Sequence, residues 1–335
     1  MQTRVARVGA PRTVALETRE LDEPGAGEAI VRVAECGLCG SDLKLYSGAH
    51  PKLRPPLLLG HEFHGTVEVG EAAGERVAVF PPIGCGECHN CRLGQPHVCA
   101  RMTFIGGEHP GGLGDFVSVP AANLIPMRAD VPADRRVFVE PLAVGVHAAT
   151  RGAVRPDEEV LIVGAGPIGL FTALALRHQG VERIVLADMA ADRLRLAERL
   201  GAGRTVDAGS VPLADYVRDE VRPEGVDVAF DCVGGQATAE QALALTRNGG
   251  RAVLVGITPA DLRIDGVVLQ RGERALVGVQ MYTRDDFRIA MEMLAAGVLP
   301  AGESLTRRFP LDDVATAFGE LESGRRDVLK LVVAP

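Results

Sequence analysis

Four cysteines spaced Cys85-x2-Cys88-x2-Cys91-x7-Cys99 constrain this chain more than any other feature. Thiols at every third position of a turning loop can aim at one point, and a fourth closes a tetrahedron around a metal ion. Pro81, Pro82, Gly84, Gly86, Gly94 and Pro96 suit a loop folded round an ion rather than a helix or strand. Disulfides fit less well, because two-residue gaps close strained rings and nothing in the chain points to an oxidising compartment. Zn²⁺ is the expected ion, although an iron–sulfur cluster uses the same four thiolates and spacing does not separate them. Four thiolates fill every coordination position, so this zinc is expected to be structural. The chemistry must lie elsewhere.

The 335 residues are enough for two domains with separate cores. A formal net charge of −8 argues against nucleic acid as a partner. Tryptophan is absent and aromatics are few, which removes the usual stacking platforms for bases. Met1 to Ala10 has arginines but no continuous apolar stretch, so it does not read as a secretory signal. No apolar run is long enough to span a bilayer, and the expected location is cytoplasmic with reduced cysteines.

Two rhythms divide the chain. Up to about Phe116, short apolar stretches (Glu28–Glu35, Gly65–Val69, Arg76–Phe80, Asp115–Val119) are broken by Gly and Pro, as in a small β-rich domain. From Val160, short buried strands at Val160–Val163, Arg183–Leu186, Val226–Phe230 and Ala252–Val255 alternate with helical patterns such as Ile168–Gln179 and Ala191–Leu200. That alternation predicts an α/β domain with a doubly wound parallel sheet. The tail breaks it again: Leu305–Phe309 and Leu329–Val332 read as strands around a helix, Leu311–Leu321.

Val160-Leu-Ile-Val163 runs into Gly164-Ala-Gly166-Pro167-Ile168-Gly169 and an apolar helix. In this setting the first glycine makes the turn, the second admits a pyrophosphate, and the third allows close helix–sheet packing. A second strand, Arg183-Ile-Val-Leu-Ala-Asp188, ends in an acid at the expected distance of about 20 residues. A carboxylate there accepts ribose hydroxyls and repels a 2′-phosphate, which favours NAD. Arg193, about one helical turn beyond, is counted with the nucleotide-facing residues, although a solvated helix charge also accounts for it.

Three further fragments supply a thiolate, an imidazole and carboxylates: Cys36-Gly-Leu-Cys39-Gly-Ser41-Asp42, Leu59-Gly60-His61-Glu62 and Phe138-Val-Glu140-Pro141-Leu142. Singly each has a bland explanation as packing or surface polarity. Together they offer three protein ligands and one open position on zinc.

The order of these motifs, with the four-cysteine run and Gly164-x-Gly166-x-x-Gly169, resembles the zinc-dependent medium-chain alcohol, polyol and threonine dehydrogenases from end to end. The resemblance implies a GroES-like catalytic domain at 1–148 with the zinc lobe at about 81–100. It implies a Rossmann domain at 149–295, a return to the catalytic domain at 296–335, and an active site in the cleft between domains. Carried over by position, Cys39 and His61 match two catalytic zinc ligands. Glu140 stands where relatives place a cysteine or glutamate, and Glu62 matches a carboxylate that ligates zinc or stands behind it. Asp42 matches the partner of the ligand imidazole, and Cys36 reads as a packed thiol. His147 reads as helix packing. Tyr46, His50, Phe104, Glu108 and Tyr282 are candidates to line the substrate pocket.

The chemistry so implied is oxidation of a secondary alcohol, of the vicinal diol, amino alcohol or polyol type, to the ketone. Zinc serves as Lewis acid, NAD takes the hydride, and Ser41 takes the hydroxyl proton. Two zinc ions per chain, one catalytic and one structural, accompany the NAD. The alternatives are a carbonyl reductase, an internal-redox epimerase, and a non-enzymatic NAD-sensing or structural zinc protein. Two departures stand out. Lys44 occupies the position where many relatives relay the proton through a histidine, and Arg284 is the nearest match to a substrate-gripping arginine. The partners expected are a small alcohol or ketone and further copies of the chain as homodimer or homotetramer, with no nucleic acid and no membrane.

Overall fold

In strand Glu28–Leu38 the residues Ala29, Ile30, Val31, Val33, Cys36 and Leu38 are buried, and strands gather on both sides of it. It pairs antiparallel with Glu62–Val69 and Phe116–Pro120, and its C-terminal end pairs with Lys330–Ala334, Val332 standing opposite Gly37. Arg76–Val79 and Leu124–Pro126 extend the sheet on one side and Thr306–Pro310 on the other. Val31, Phe63, Val67, Val77, Val117 and Val333 form the middle of its core. Gln2–Ala10 and Thr13–Glu20 make a hairpin on which Leu57–Leu58 adds a third strand.

The structure is a computed structural model that describes residues 1–50, 52–300, 305–324 and 328–335. Met1–Glu140 with Thr283–Pro335 forms one compact unit and Pro141–Tyr282 the other. These divisions fall earlier than 148/149 and 295/296. Helix Val139–Gly152 runs into the second unit, where Gly145 lies so close to the Phe171 backbone that a side chain would collide. Helix Arg284–Ala295 packs on the first unit, with Phe287 edge-on to Phe80 at 5.5 Å.

The second unit is a six-stranded parallel sheet. Its spatial order is Arg204–Asp207, Ile184–Asp188, Val160–Val163, Val226–Asp231, Thr246–Leu254 and Ala275–Gly278. With the strands counted along the chain this is order 3-2-1-4-5-6, the doubly wound arrangement that binds dinucleotides at its switch point. Val160–Val163 is buried at every position, as a strand covered on both faces must be. Helices Pro167–His178, Ala191–Arg199 and Gln236–Leu245 cross between strands. Among the described residues no helix is long and apolar enough to cross a membrane.

The sequence reading missed the N-terminal hairpin, whose second strand is largely exposed, and the strand Arg204–Asp207, which has one buried position. Neither carries the apolar run that marks the other strands.

Candidate active site and metal centres

Cys39 caps the short helix Gly40–Tyr46, and the Asp42 carboxylate fixes that cap by accepting the Cys39 backbone N–H at 2.9 Å. The other oxygen of Asp42, fully buried, faces Nδ1 of His61 at 3.3 Å. A carboxylate on Nδ1 sets the tautomer that leaves Nε2 as an acceptor. Ser41 Oγ lies 3.4 Å from that Nε2. His61 is delivered by Gly60, whose φ of +101° belongs to glycine, and a Cβ there would stand 2.7 Å from Cys36 Sγ. The Phe104 ring meets the imidazole edge-on, with centroids 6.3 Å apart.

Cys39, His61 and Glu62 each offer a ligand atom, and these atoms lie within 4.8 Å of one another. Glu62 is 1% exposed; its Oε1 accepts from Lys330 Nζ at 2.8 Å, while its Oε2 is buried with no hydrogen-bond partner. A buried carboxylate with an orphaned oxygen, grouped with a thiol and an imidazole, fits a divalent cation. Glu140, also buried, opens helix Val139–Gly152; its charge acts on Cys36 and Lys330, but it does not join the three-residue group.

Charge in the pocket is balanced against burial. Burial alone would lower the His61 pKa, yet the Asp42 carboxylate and Cys39 raise it well above the ordinary imidazole range. Burial pushes the Cys36 thiol up, with Asp42, Glu62 and Glu140 adding to the shift, so Cys36 stays a neutral packing group. Lys330 is raised although burial opposes it, because Glu62 first and Cys39 next favour its charge.

The sulfurs of Cys85, Cys88, Cys91 and Cys99 also lie within 4.8 Å of one another, and none is in a disulfide. The loop contains one helical turn, His89–Arg92, capped by Cys88, whose sulfur accepts the Cys91 N–H at 3.5 Å. Cys99 Sγ accepts from the backbone of Arg101 at 3.3 Å and of Cys85 at 3.5 Å. Backbone N–H groups of Glu87 and Cys88, then Arg101, lower the Cys85 thiol to about 6. Burial and the neighbouring sulfurs push Cys91 up to about 11. Four thiolates so close cannot all ionise without a cation among them, and the donor set fits zinc.

In the second unit Gly164 turns with φ +97°, and a Cβ on Gly169 would collide with the Gly164 carbonyl. Gly166 caps the helix that Pro167 begins, and the Ile168 carbonyl accepts from Thr172 Oγ1 at 2.8 Å. Asp188 ends its strand and accepts the N–H groups of Ala165 and Ala190, each at 2.9 Å. Arg193 is no free helix charge: its Nη1 pairs with Asp188 at 3.1 Å, and its guanidinium lies 3.6 Å from where a Gly166 Cβ would be. A turn without side chains, a capped helix and a fixed acid fit a dinucleotide.

Several pocket candidates have other work. Tyr46 stacks on Phe318 at 4.7 Å and donates to the Arg12 carbonyl. Tyr282 is fully buried, and His147 is buried in its helix. Arg284 lies over the Phe80 ring at 4.7 Å and donates to the Ala122 carbonyl. His50 Nδ1 accepts the Leu53 N–H at 3.0 Å, and Glu108 accepts the Phe104 N–H at 3.2 Å. Lys330 is the residue that sequence reasoning overlooked. A lysine inside the apolar run Val328-Leu-Lys-Leu-Val-Val was the signal.

Residues 25–129 match the alcohol dehydrogenase GroES-like domain, and residues 167–296 match the zinc-binding dehydrogenase domain. The chain is 32% identical over 320 residues to L-threonine 3-dehydrogenase of Rhizobium rhizogenes, covering 92% of each chain. It is 35% identical to L-idonate 5-dehydrogenase of Vitis vinifera, over 92% of this chain and 88% of that one. Among solved structures it is similar to an Escherichia coli CFT073 alcohol dehydrogenase complexed with NADH, with a TM-score of 0.91 at 26% identity, covering 100% and 99% of the two chains.

Proposed function

The chain belongs to the zinc-dependent medium-chain dehydrogenases, and from that premise we propose that it oxidises a secondary alcohol bearing a hydroxyl or amine on the next carbon. The observation that carries this reading is the group Cys39, His61 and Glu62, with Ser41 Oγ 3.4 Å from the ligand imidazole. The substrates in the names of similar proteins, threonine and idonate, are secondary alcohols of this kind.

When bound, zinc would supply a Lewis acid that acidifies the substrate hydroxyl, and NAD would supply the hydride acceptor. Cys39, His61 and Glu62 would hold the zinc, with Glu140 as the further carboxylate in reach. Cys85, Cys88, Cys91 and Cys99 would hold the structural ion. Asp42 keeps His61 turned so that Nε2 faces the site. Ser41 would take the substrate proton at Oγ while its own hydroxyl proton leaves to water, without Lys44, whose ammonium has no lone pair to accept one. Gly164, Gly166, Pro167, Ile168 and Gly169 would seat the pyrophosphate, and Asp188 the ribose. Arg193 already neutralises part of the Asp188 charge, so the preference for NAD over NADP rests on hydrogen bonds to the ribose as much as on repulsion. The protein is read as a cytoplasmic homodimer or homotetramer.

The test is NADH formation from NAD⁺ with threonine, 2,3-butanediol, aldonates and sugar alcohols, each beside its simple secondary-alcohol analogue. Turnover confined to substrates with the neighbouring group supports the reading. Equal turnover of the simple alcohols, or none on any member by zinc-loaded protein, refutes it.

A further inference from the structure

Strands Glu62–Val69 and Lys330–Ala334 do not touch as neighbours; Glu28–Leu38 runs between them. Glu62 stands directly across from Gly37, and on the far side Gly37 faces Val332. Lys330, two residues before Val332, projects from the same face. Two strand spacings, about 10 Å, separate the outer backbones, so their side chains must stretch over the middle strand to meet. Gly37 makes that possible. A Cβ there would collide with Glu62 Oε2 and stand 3.3 Å from Lys330 Cδ.

The meeting places an ammonium in a pocket of acids. Lys330 Nζ is 2.8 Å from Glu62 Oε1, with side-chain exposures of 3% and 1%, and Cys39 and Glu140 also act on its charge. The carboxylate is thus divided: Oε1 is taken by the lysine and Oε2 is buried without a hydrogen-bond partner, while the group as a whole offers an oxygen within 4.8 Å of the ligand atoms of Cys39 and His61. Lysine and a metal ion compete for one carboxylate.

We propose that Lys330 is a built-in counter-cation of the catalytic metal site: it holds Glu62 in position when the metal is absent and weakens Glu62 as a ligand when the metal is bound. The proposal rests on the reading of Cys39, His61 and Glu62 as metal ligands. Its thermodynamic signature follows from linkage. Without the lysine charge the metal-free pocket loses the cation paired with Glu62, whereas the loaded pocket still has its ion. Removing the charge therefore destabilises the metal-free form more, and metal affinity rises. A lysine that served packing alone would affect both forms equally.

The experiment is zinc release from full-length protein to a colorimetric chelator, with melting of the zinc-loaded and metal-free forms, for wild type, K330M, K330R and K330M/E62Q. Cys39→Ser identifies the catalytic-site component of release by removing it. In K330M that component is expected to slow by about 10- to 100-fold, the range for partners that tune a ligand. The metal-free melting point should fall further than the loaded one. K330R, which keeps the charge, should release like wild type, and K330M/E62Q should lose the gain. Should K330M not fold, K330Q carries the same test, since it keeps a donor to Oε1 without the charge. Unchanged or faster release in K330M, with both melting points falling together, overturns the proposal. Identical zinc content and release in wild type and Cys39→Ser would instead show that the cluster is no metal site, and both readings fall.

Discussion

The molecule gathers cysteine sulfur at two places by opposite means. The Cys85–Cys99 lobe is built from one short loop, with backbone N–H groups turned onto its own sulfurs. The Cys39 site is assembled from a helix cap, the start of strand Glu62–Val69, the start of helix Val139–Gly152 and a strand from beyond residue 328. The first offers four donors of one kind, all thiols. The second surrounds unlike ligands with groups that orient and counter them: Asp42 on His61, Lys330 on Glu62, Ser41 beside the imidazole. A site made by local sequence serves to hold a loop, and one made by the fold leaves room for chemistry.

The sharpest test of this contrast is to remove one sulfur from each. Cys39→Ser is expected to reduce turnover to background while the melting point shifts by only a few degrees. Cys99→Ser is expected to lower the melting point by ten degrees or so and to leave the purified, still-folded fraction active, because a structural zinc contributes folding energy outright. Steady-state kinetics and thermal melting of the two variants decide it, and matching profiles would erase the division.

Gly37→Ala should follow. It crowds Glu62 Oε2 from the middle strand, so the expected result is a catalytic zinc released at least tenfold faster, with the lobe zinc unchanged. Two-component release to a chelator reads this directly.

Ser41→Ala is expected to lower kcat by about 10²-fold, the lower range for loss of a proton-transfer group. Zinc content and the NAD dissociation constant should stay as in wild type. Lys44→Ala, at the smallest end, should alter kcat by no more than about threefold, within the range of a surface charge. A loss from Lys44→Ala as large as that from Ser41→Ala would move the proton path to the lysine.

The lobe was legible in the sequence because its ligands are near neighbours whose spacing is itself the geometry. So was the nucleotide turn, where Gly164, Gly166 and Gly169 stand in one strand–turn–helix and Asp188 ends the next strand. Residue chemistry brought Cys39, His61, Glu62 and Glu140 together as possible ligands, but only resemblance gave each a role, since no periodicity relates residues so far apart; the structure groups Glu62 with Cys39 and His61. Lys330 left a mark in the sequence, a lone lysine in an apolar run, but that mark acquires meaning only when the pairing register, Val332 opposite Gly37, is known. Among the pocket candidates, Phe104 lies against the His61 ring, whereas others have packing roles that their sequence positions do not show. Tyr46 and Arg284 were plausible by position, but their rings and charge are used by Phe318 and Phe80.

The placement of Lys330–Ala334 against Glu28–Leu38 has a consequence for how the molecule comes into being. Between the two strands in sequence lies the entire second unit, Pro141–Tyr282. During synthesis that unit can collapse on its own parallel sheet while the first still lacks the strand that pairs with the C-terminal end of Glu28–Leu38. The glutamate that faces the metal has no cation beside it until that strand arrives. On a growing chain every strand of the parallel sheet is therefore made before Lys330 is available to pair with Glu62.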